Sequence, residues 1–160
     1  MATAGEAGLR RKSVHPAKVL RVRISDDLVA TPVEREDIQI MFIRTEDEVP
    51  AMRRGWEQLE ATVGLRGRSF FGAFYPSTRE YRVCAQVKEG DDPATLGFET
   101  ATLPGGRYLR ARLRGEPPQV YDWIAPTFRA LLEAATPDES RPSIEHYRRR
   151  NEIDLLLPVA

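Results

Sequence analysis

The segment Pro142–Ser143–Ile144–Glu145–His146–Tyr147 carries the side chains best suited to polar chemistry. Read as a strand, it places Glu145 and Tyr147 on one face and Ile144, His146 and Arg148 on the other. A carboxylate beside a phenol on a concave surface can hold a cation by charge and by ring quadrupole together. The same pair can serve a hydrolase, with Glu145 positioning or deprotonating water and Tyr147 protonating or stabilising a leaving group. Spacing alone also fits a plainer arrangement, in which Glu145 sits at a solvated strand edge and pairs with an arginine. At this level the plainer arrangement is favoured.

Other chemistries lack their residues. His15 and His146 are far apart in sequence with no partner cluster, so no metal site is expected. A single cysteine, Cys84, excludes an intramolecular disulfide and a cysteine-based zinc site. It lies mid-strand with no histidine or helix start beside it, so it is expected to be a structural thiol. No nucleophile-elbow motif occurs. Leu103–Pro104–Gly105–Gly106–Arg107 lacks the lysine and serine of a phosphate loop and reads as a turn, so no cofactor is implied. Arg148–Arg149–Arg150 reads as a solvated strand end, because Glu145, Glu152 and Asp154 flank it.

Composition narrows the class further. In 160 residues, 41% hydrophobic and 30% charged, there is enough apolar material for one cored domain. Lys plus Arg (24) match Asp plus Glu (24), so no global positive field attracts nucleic acid, and no direct nucleic-acid binding is expected. Neither a secretory signal nor an apolar run near the roughly 20 residues of a membrane span is visible. The expectation is a soluble cytoplasmic protein without membrane contact. Residues 1–15 read as a flexible leader and 16–160 as a single domain.

The elements that must position Glu145 form a repeat. Residues 17–26 alternate as a loosely placed strand, and Ala30–Asp37 reads as a connection. Ile38–Thr45 is a strand. Thr45 and Glu48 have capping-box spacing, and Pro50 suits a first helical turn. Val49, Met52, Trp56, Leu59 and Val63 then recur at helical spacing, with Gly64 and Gly67 ending the helix. Two strands follow, SFFGAFYPS and EYRVCAQVK, and Gly90–Pro93 marks a break. GRYLRARLRG is again a strand. Pro117–Pro118 opens a helix bearing Val120, Trp123, Ile124, Phe128, Leu131 and Leu132, with Pro126 kinking it or marking a late start. PSIEHYRRR and EIDLLLPV close the chain as two more strands. Strand, helix, strand, strand thus occurs twice, over approximately 38–88 and 106–159, which predicts an α+β fold: a tandem pseudo-twofold repeat with a central ligand cleft.

Aromatic side chains supply the apolar surface such a cleft needs. Trp56 and Trp123 lie on helical apolar stripes, where a core role is the commoner outcome. Tyr75, Tyr81 and Tyr108 lie on strands, each able to line the cleft or the core. Of these Tyr75 is preferred, because it ends a strand just before Pro76.

The ordered set of short motifs resembles the GyrI-like family, the fold shared by the gyrase-inhibitory protein and the effector-binding domains of drug-sensing transcription regulators. The matching residues are Leu103–Pro104–Gly105–Gly106–Arg107–Tyr108, Arg114–Gly115, Pro142 to Tyr147 with its E-x-Y pair, and Asp154–Leu155–Leu156–Leu157–Pro158–Val159. FFGAFYPS and EYRVCAQV are similar to the family's first-half strands, so the resemblance spans roughly 38–159. It implies a tandem strand–helix–strand–strand fold around a pocket for hydrophobic, often cationic, small molecules, with the E-x-Y glutamate meeting the charge. It also reverses the preference for Glu145, which becomes the expected cleft carboxylate. Two departures stand out: Leu156 occupies a position where many members place an aromatic, and these 160 residues are not expected to hold the regulators' DNA-binding module as well.

The expected ligand contacts are therefore Glu145, Tyr147, Tyr108, Tyr75, Trp123 and Trp56, with Glu145 and Tyr147 catalytic if the protein is a hydrolase. The first functional reading is a stand-alone small-molecule-binding protein. The alternatives are hydrolysis of strained cyclopropane-containing compounds, as in some stand-alone relatives, and a protein-interaction role such as topoisomerase inhibition. A monomer or a homodimer suits any of these.

Overall fold

A computed structural model of the chain describes residues 22–25 and 28–160. The leader and the first part of the strand expected over 17–26 lie outside the described residues. The described elements are strands β1 (Val22–Ser25), β2 (Leu28–Arg35), β3 (Ile38–Glu46), β4 (Phe70–Tyr75), β5 (Glu80–Gln86), β6 (Glu99–Leu103), β7 (Gly106–Arg114), β8 (Ser143–Arg149) and β9 (Glu152–Pro158). Helix α1 (Val49–Val63) joins β3 to β4, and a short α2 (Pro93–Leu96) precedes β6. A 3-10 turn, Gln119–Trp123, runs into α3 (Ile124–Ala134) between β7 and β8.

All nine strands form one sheet in the order β1-β2-β7-β9-β8-β4-β5-β3-β6, with every neighbouring pair antiparallel. The triplets β7-β9-β8 and β4-β5-β3 mirror each other across the β8–β4 seam. Each triplet carries one long helix, so strand–helix–strand–strand repeats as expected. The strand preceding each repeat is exchanged: β2 pairs with β7 of the second half, and β6 pairs with β3 of the first. Segments 28–46 and 99–114 thus run side by side through a corner at residues 36–37 and 104–105. There the Gly105 N–H donates to Asp37 Oδ1 at 2.7 Å.

Both long helices pack on one face. From α1, Leu59 is fully buried and Met52, Trp56 and Val63 are half-buried against Met41, Phe70, Tyr81 and Val83. Gly55 lets this helix approach, since a Cβ there would stand 2.8 Å from Thr45 Cγ2. From α3, Leu131 is fully buried with Leu155, Leu157 and Ala111, while Leu132 on the far side is half exposed. The other face has its own core of Ile40, Phe42, Phe71, Cys84, Tyr108 and Leu156, which contains no helical side chain.

Several local expectations change. Ala30–Asp37 is not a connection: most of it belongs to β2, whose Ala30 is fully buried while Pro32 and Glu34 mask the alternation. Thr45 does not cap α1; it remains in β3 and donates to the Tyr81 carbonyl at 3.2 Å, and Glu48 takes the cap position without a side-chain bond. Gly64 ends α1 with φ +78°, a conformation glycine tolerates. The second helix starts late, at Ile124, after the 3-10 turn, with Pro126 in its first turn. Past the Gly90–Pro93 break, Asp92 caps α2 and β6 follows, two elements too short and too polar to show a period.

Candidate functional site

Beside the seam, on the helix-bearing face, Glu145 of β8 lies opposite Gly72 of β4. Glu145 Oε1 accepts from Tyr81 Oη at 2.7 Å and from Tyr147 Oη at 2.5 Å. Tyr147 reaches it from the same strand by the i, i+2 relation. Tyr81 reaches it from β5, across β4. That crossing requires Gly72: a Cβ there would lie 1.9 Å from Tyr81 Oη and 2.7 Å from Glu145 Oε1. The ring of Trp56 from α1 meets Tyr147 edge-on at 5.2 Å, and Tyr121 from the 3-10 turn does so at 6.5 Å. Each half of the fold thereby places an aromatic ring against Tyr147.

Burial governs the electrostatics of this cluster. Burial pushes the Glu145 carboxyl above its ordinary value of 4.5; the two phenol bonds oppose this, and the nearby Asp47 carboxylate adds to it. Both phenols are driven well above 10, first by burial and then by the Glu145 charge, so they remain protonated donors at neutral pH. Tyr81 is buried, whereas Glu145 and Tyr147 keep some solvent-accessible surface. Desolvation therefore dominates this cluster, although Glu145 and Tyr147 still touch solvent. Among the described residues, no group of three or more His, Cys, Asp or Glu side chains could hold a metal ion.

The expected site residues separate into two sets. Glu145, Tyr147 and Trp56 come together. Trp123 lies on the 3-10 turn near Tyr121 but is 62% exposed, so it is not part of the core. Tyr75 and Tyr108, expected in the same cleft, lie behind the sheet. Their strand parity puts them with Phe71 and Leu156 in the other core, where Arg82 stacks on Tyr75 at 4.3 Å and Tyr108 donates to the Pro104 carbonyl at 2.5 Å. Leu156 faces the same way, so its departure from the family's aromatic does not alter a wall beside Glu145. Tyr81 is the phenol that sequence reasoning passed over in favour of Tyr75. Its parity with Val83 and Ala85, both on the helix-bearing face, was the available signal. Gly72, Tyr121 and Asp47 had none.

A family profile described as "Cass2: Integron-associated effector binding protein" matches residues 46–159, most of the chain and all of the site. The chain belongs to this family of effector-binding proteins. Solved structures agree on the fold. The integron cassette protein VCH_CASS2 from the mobile metagenome of Vibrio cholerae has TM-score 0.63 at 14% identity, covering 84% of this chain and 100% of that one. The protein SAV2435, solved with tetraphenylphosphonium bound, has TM-score 0.57 at 14% identity, covering 82% and 93%. A hydrolase from Listeria innocua has TM-score 0.52 at 9% identity, covering 82% and 91%. These neighbours fit the GyrI-like resemblance read from the motifs. No protein of curated function matches the sequence. No helix among the described residues is long and apolar enough to cross a membrane.

Proposed function

We propose that this effector-binding protein takes a lipophilic cation between α1 and the 3-10 turn, with Glu145 as counter-charge. Tyr147, Trp56 and Tyr121 would supply ring faces and edges, and Trp123 would sit at the rim. The observation that carries the reading is the Glu145 carboxylate held by two neutral phenols, with a second carboxylate, Asp47, as its charged neighbour. Such a site raises the local preference for positive charge: Arg79 meets Asp47 at 3.5 Å, whereas no arginine, lysine or histidine among the described residues pairs with Glu145. The bound tetraphenylphosphonium of SAV2435 supports the ligand class. Tyr75 and Tyr108 do not enter the proposal, because they lie on the opposite face.

Tetraphenylphosphonium and tetraphenylborate share a shape and carry opposite charges, so the pair isolates electrostatics. Titration followed by intrinsic fluorescence should show saturable binding of the cation and little of the anion. Glu145→Gln keeps the shape and removes the charge, at a cost of about 2 kcal/mol or more, roughly thirty-fold in affinity. Equal affinity of wild type and Glu145→Gln for the cation would refute the assignment.

A further inference from the structure

The sheet face opposite this site gathers arginines in excess of acids. Asp154, 2% exposed, receives Arg112 through bonds of 2.6 and 3.1 Å and has Arg148 at 3.9 Å. Glu152 takes Arg148 at 2.7 Å and Arg114 at 3.4 Å. These two carboxylates are thereby saturated, and two further guanidinium groups remain. Arg35 of β2 donates to His146 Nδ1 at 3.4 Å and meets no carboxylate at ion-pair distance among the described residues. Arg110 of β7 has its Nε buried with no hydrogen-bond partner. Both residues are half-buried.

This arrangement is unfavourable for an empty protein. Burial weakens the hold of Arg35 on its proton, and Arg148 and Arg110 act on it as like charges, opposed by Asp154. His146 cannot compensate, since burial and the same Arg35 push it down to about 4 and keep it neutral at physiological pH. A neutral imidazole accepting at Nδ1 presents its Nε2–H as a donor. Planar guanidinium forks with free N–H groups are the usual recognition elements for phosphate oxygens.

We infer that this face carries an oxyanion site fitted to a phosphate group, with Arg35 and Arg110 as its donors and His146 as a neutral third. The site is separated from Glu145 by the thickness of the sheet and is independent of it. The probe is inorganic phosphate, titrated calorimetrically at constant ionic strength with chloride as the exchanged ion. Wild type should show saturable binding, and the imidazole signals of His146 should shift in the nuclear magnetic resonance spectrum. Arg35→Gln and Arg110→Gln should each weaken binding about tenfold or more, while Arg35→Lys, which keeps the charge and loses the fork, should fall between. Circular dichroism confirms that each variant is folded, and Glu145→Gln should titrate as wild type. Absence of phosphate binding beyond the chloride control overturns the inference. So does wild-type affinity in both glutamine variants, or loss of binding in Glu145→Gln.

Discussion

Gly72→Ala adds one methyl group at the point where β4 lets Tyr81 pass to Glu145. The new Cβ would stand 1.9 Å from Tyr81 Oη and 2.8 Å from its Cζ, so the phenol must move. Tyr81 is 4% exposed and cannot swing away as a flexible surface chain would. Overpacking of this kind costs about 1–3 kcal/mol. Losing the Tyr81–Glu145 bond adds about 1.5–3 kcal/mol, the value for a hydrogen bond to a charged group. Because φ at Gly72 is not in the left-handed region, alanine brings no backbone strain to confuse the result. Urea unfolding should therefore show a loss of about 2.5–6 kcal/mol with an unchanged slope. Tyr81→Phe removes the closest atom, so Gly72→Ala combined with it should cost clearly less than Gly72→Ala in wild type. If Gly72→Ala costs under about 0.5 kcal/mol, or costs as much when Tyr81→Phe is already present, the packing of this triad is not as described.

Three further outcomes follow from single side chains. His146 is held at about 4 in the fold against 6.5 ordinarily, so the unfolded chain takes up a proton that the folded chain refuses as pH falls between those values. Acidification through that window should cost wild type about 1–2 kcal/mol after allowance for partial solvent contact, and His146→Gln should flatten that part of the urea-stability profile. Cys84 is fully buried and its thiol is pushed far up by burial, so a maleimide should label it only after unfolding; rapid labelling of native protein would contradict its placement. Arg112→Ala leaves the buried Asp154 with only the distant Arg148, and should destabilise by about 2–3 kcal/mol in thermal unfolding. Replacing both partners by leucine should recover most of that loss.

Long periodic segments were legible in the sequence and short polar ones were not. The stripe Met52–Trp56–Leu59–Val63 announced α1, and the alternation of Leu109, Ala111 and Leu113 announced β7. By contrast β2 and β6 take their stability from exchanged pairing with the other half, information absent from their own residues. The Glu145–Tyr147 pair followed from period two, because both belong to one strand. Tyr81 joins them only through the register of β4 and β5 and the missing Cβ of Gly72, neither of which has a local signature. The same parity, applied to Tyr75 with Phe71 and Ala73, would have moved it behind the sheet.

A cation bound against Glu145 must displace the proton of that carboxyl. Glu145 holds its proton above the ordinary carboxylate value of 4.5 because it is desolvated. A cation seated against the carboxylate stabilises the charged form and lowers that value, so binding must expel a proton wherever the free site is partly protonated. Calorimetric titration of tetraphenylphosphonium in buffers of different ionisation enthalpy, scanned upward in pH from 4.5, measures that proton. Net release is expected in wild type, fading toward neutral pH and vanishing in Glu145→Gln. Binding with no proton release anywhere in the scan, or with the same release in Glu145→Gln, would mean that the cation does not meet this carboxylate.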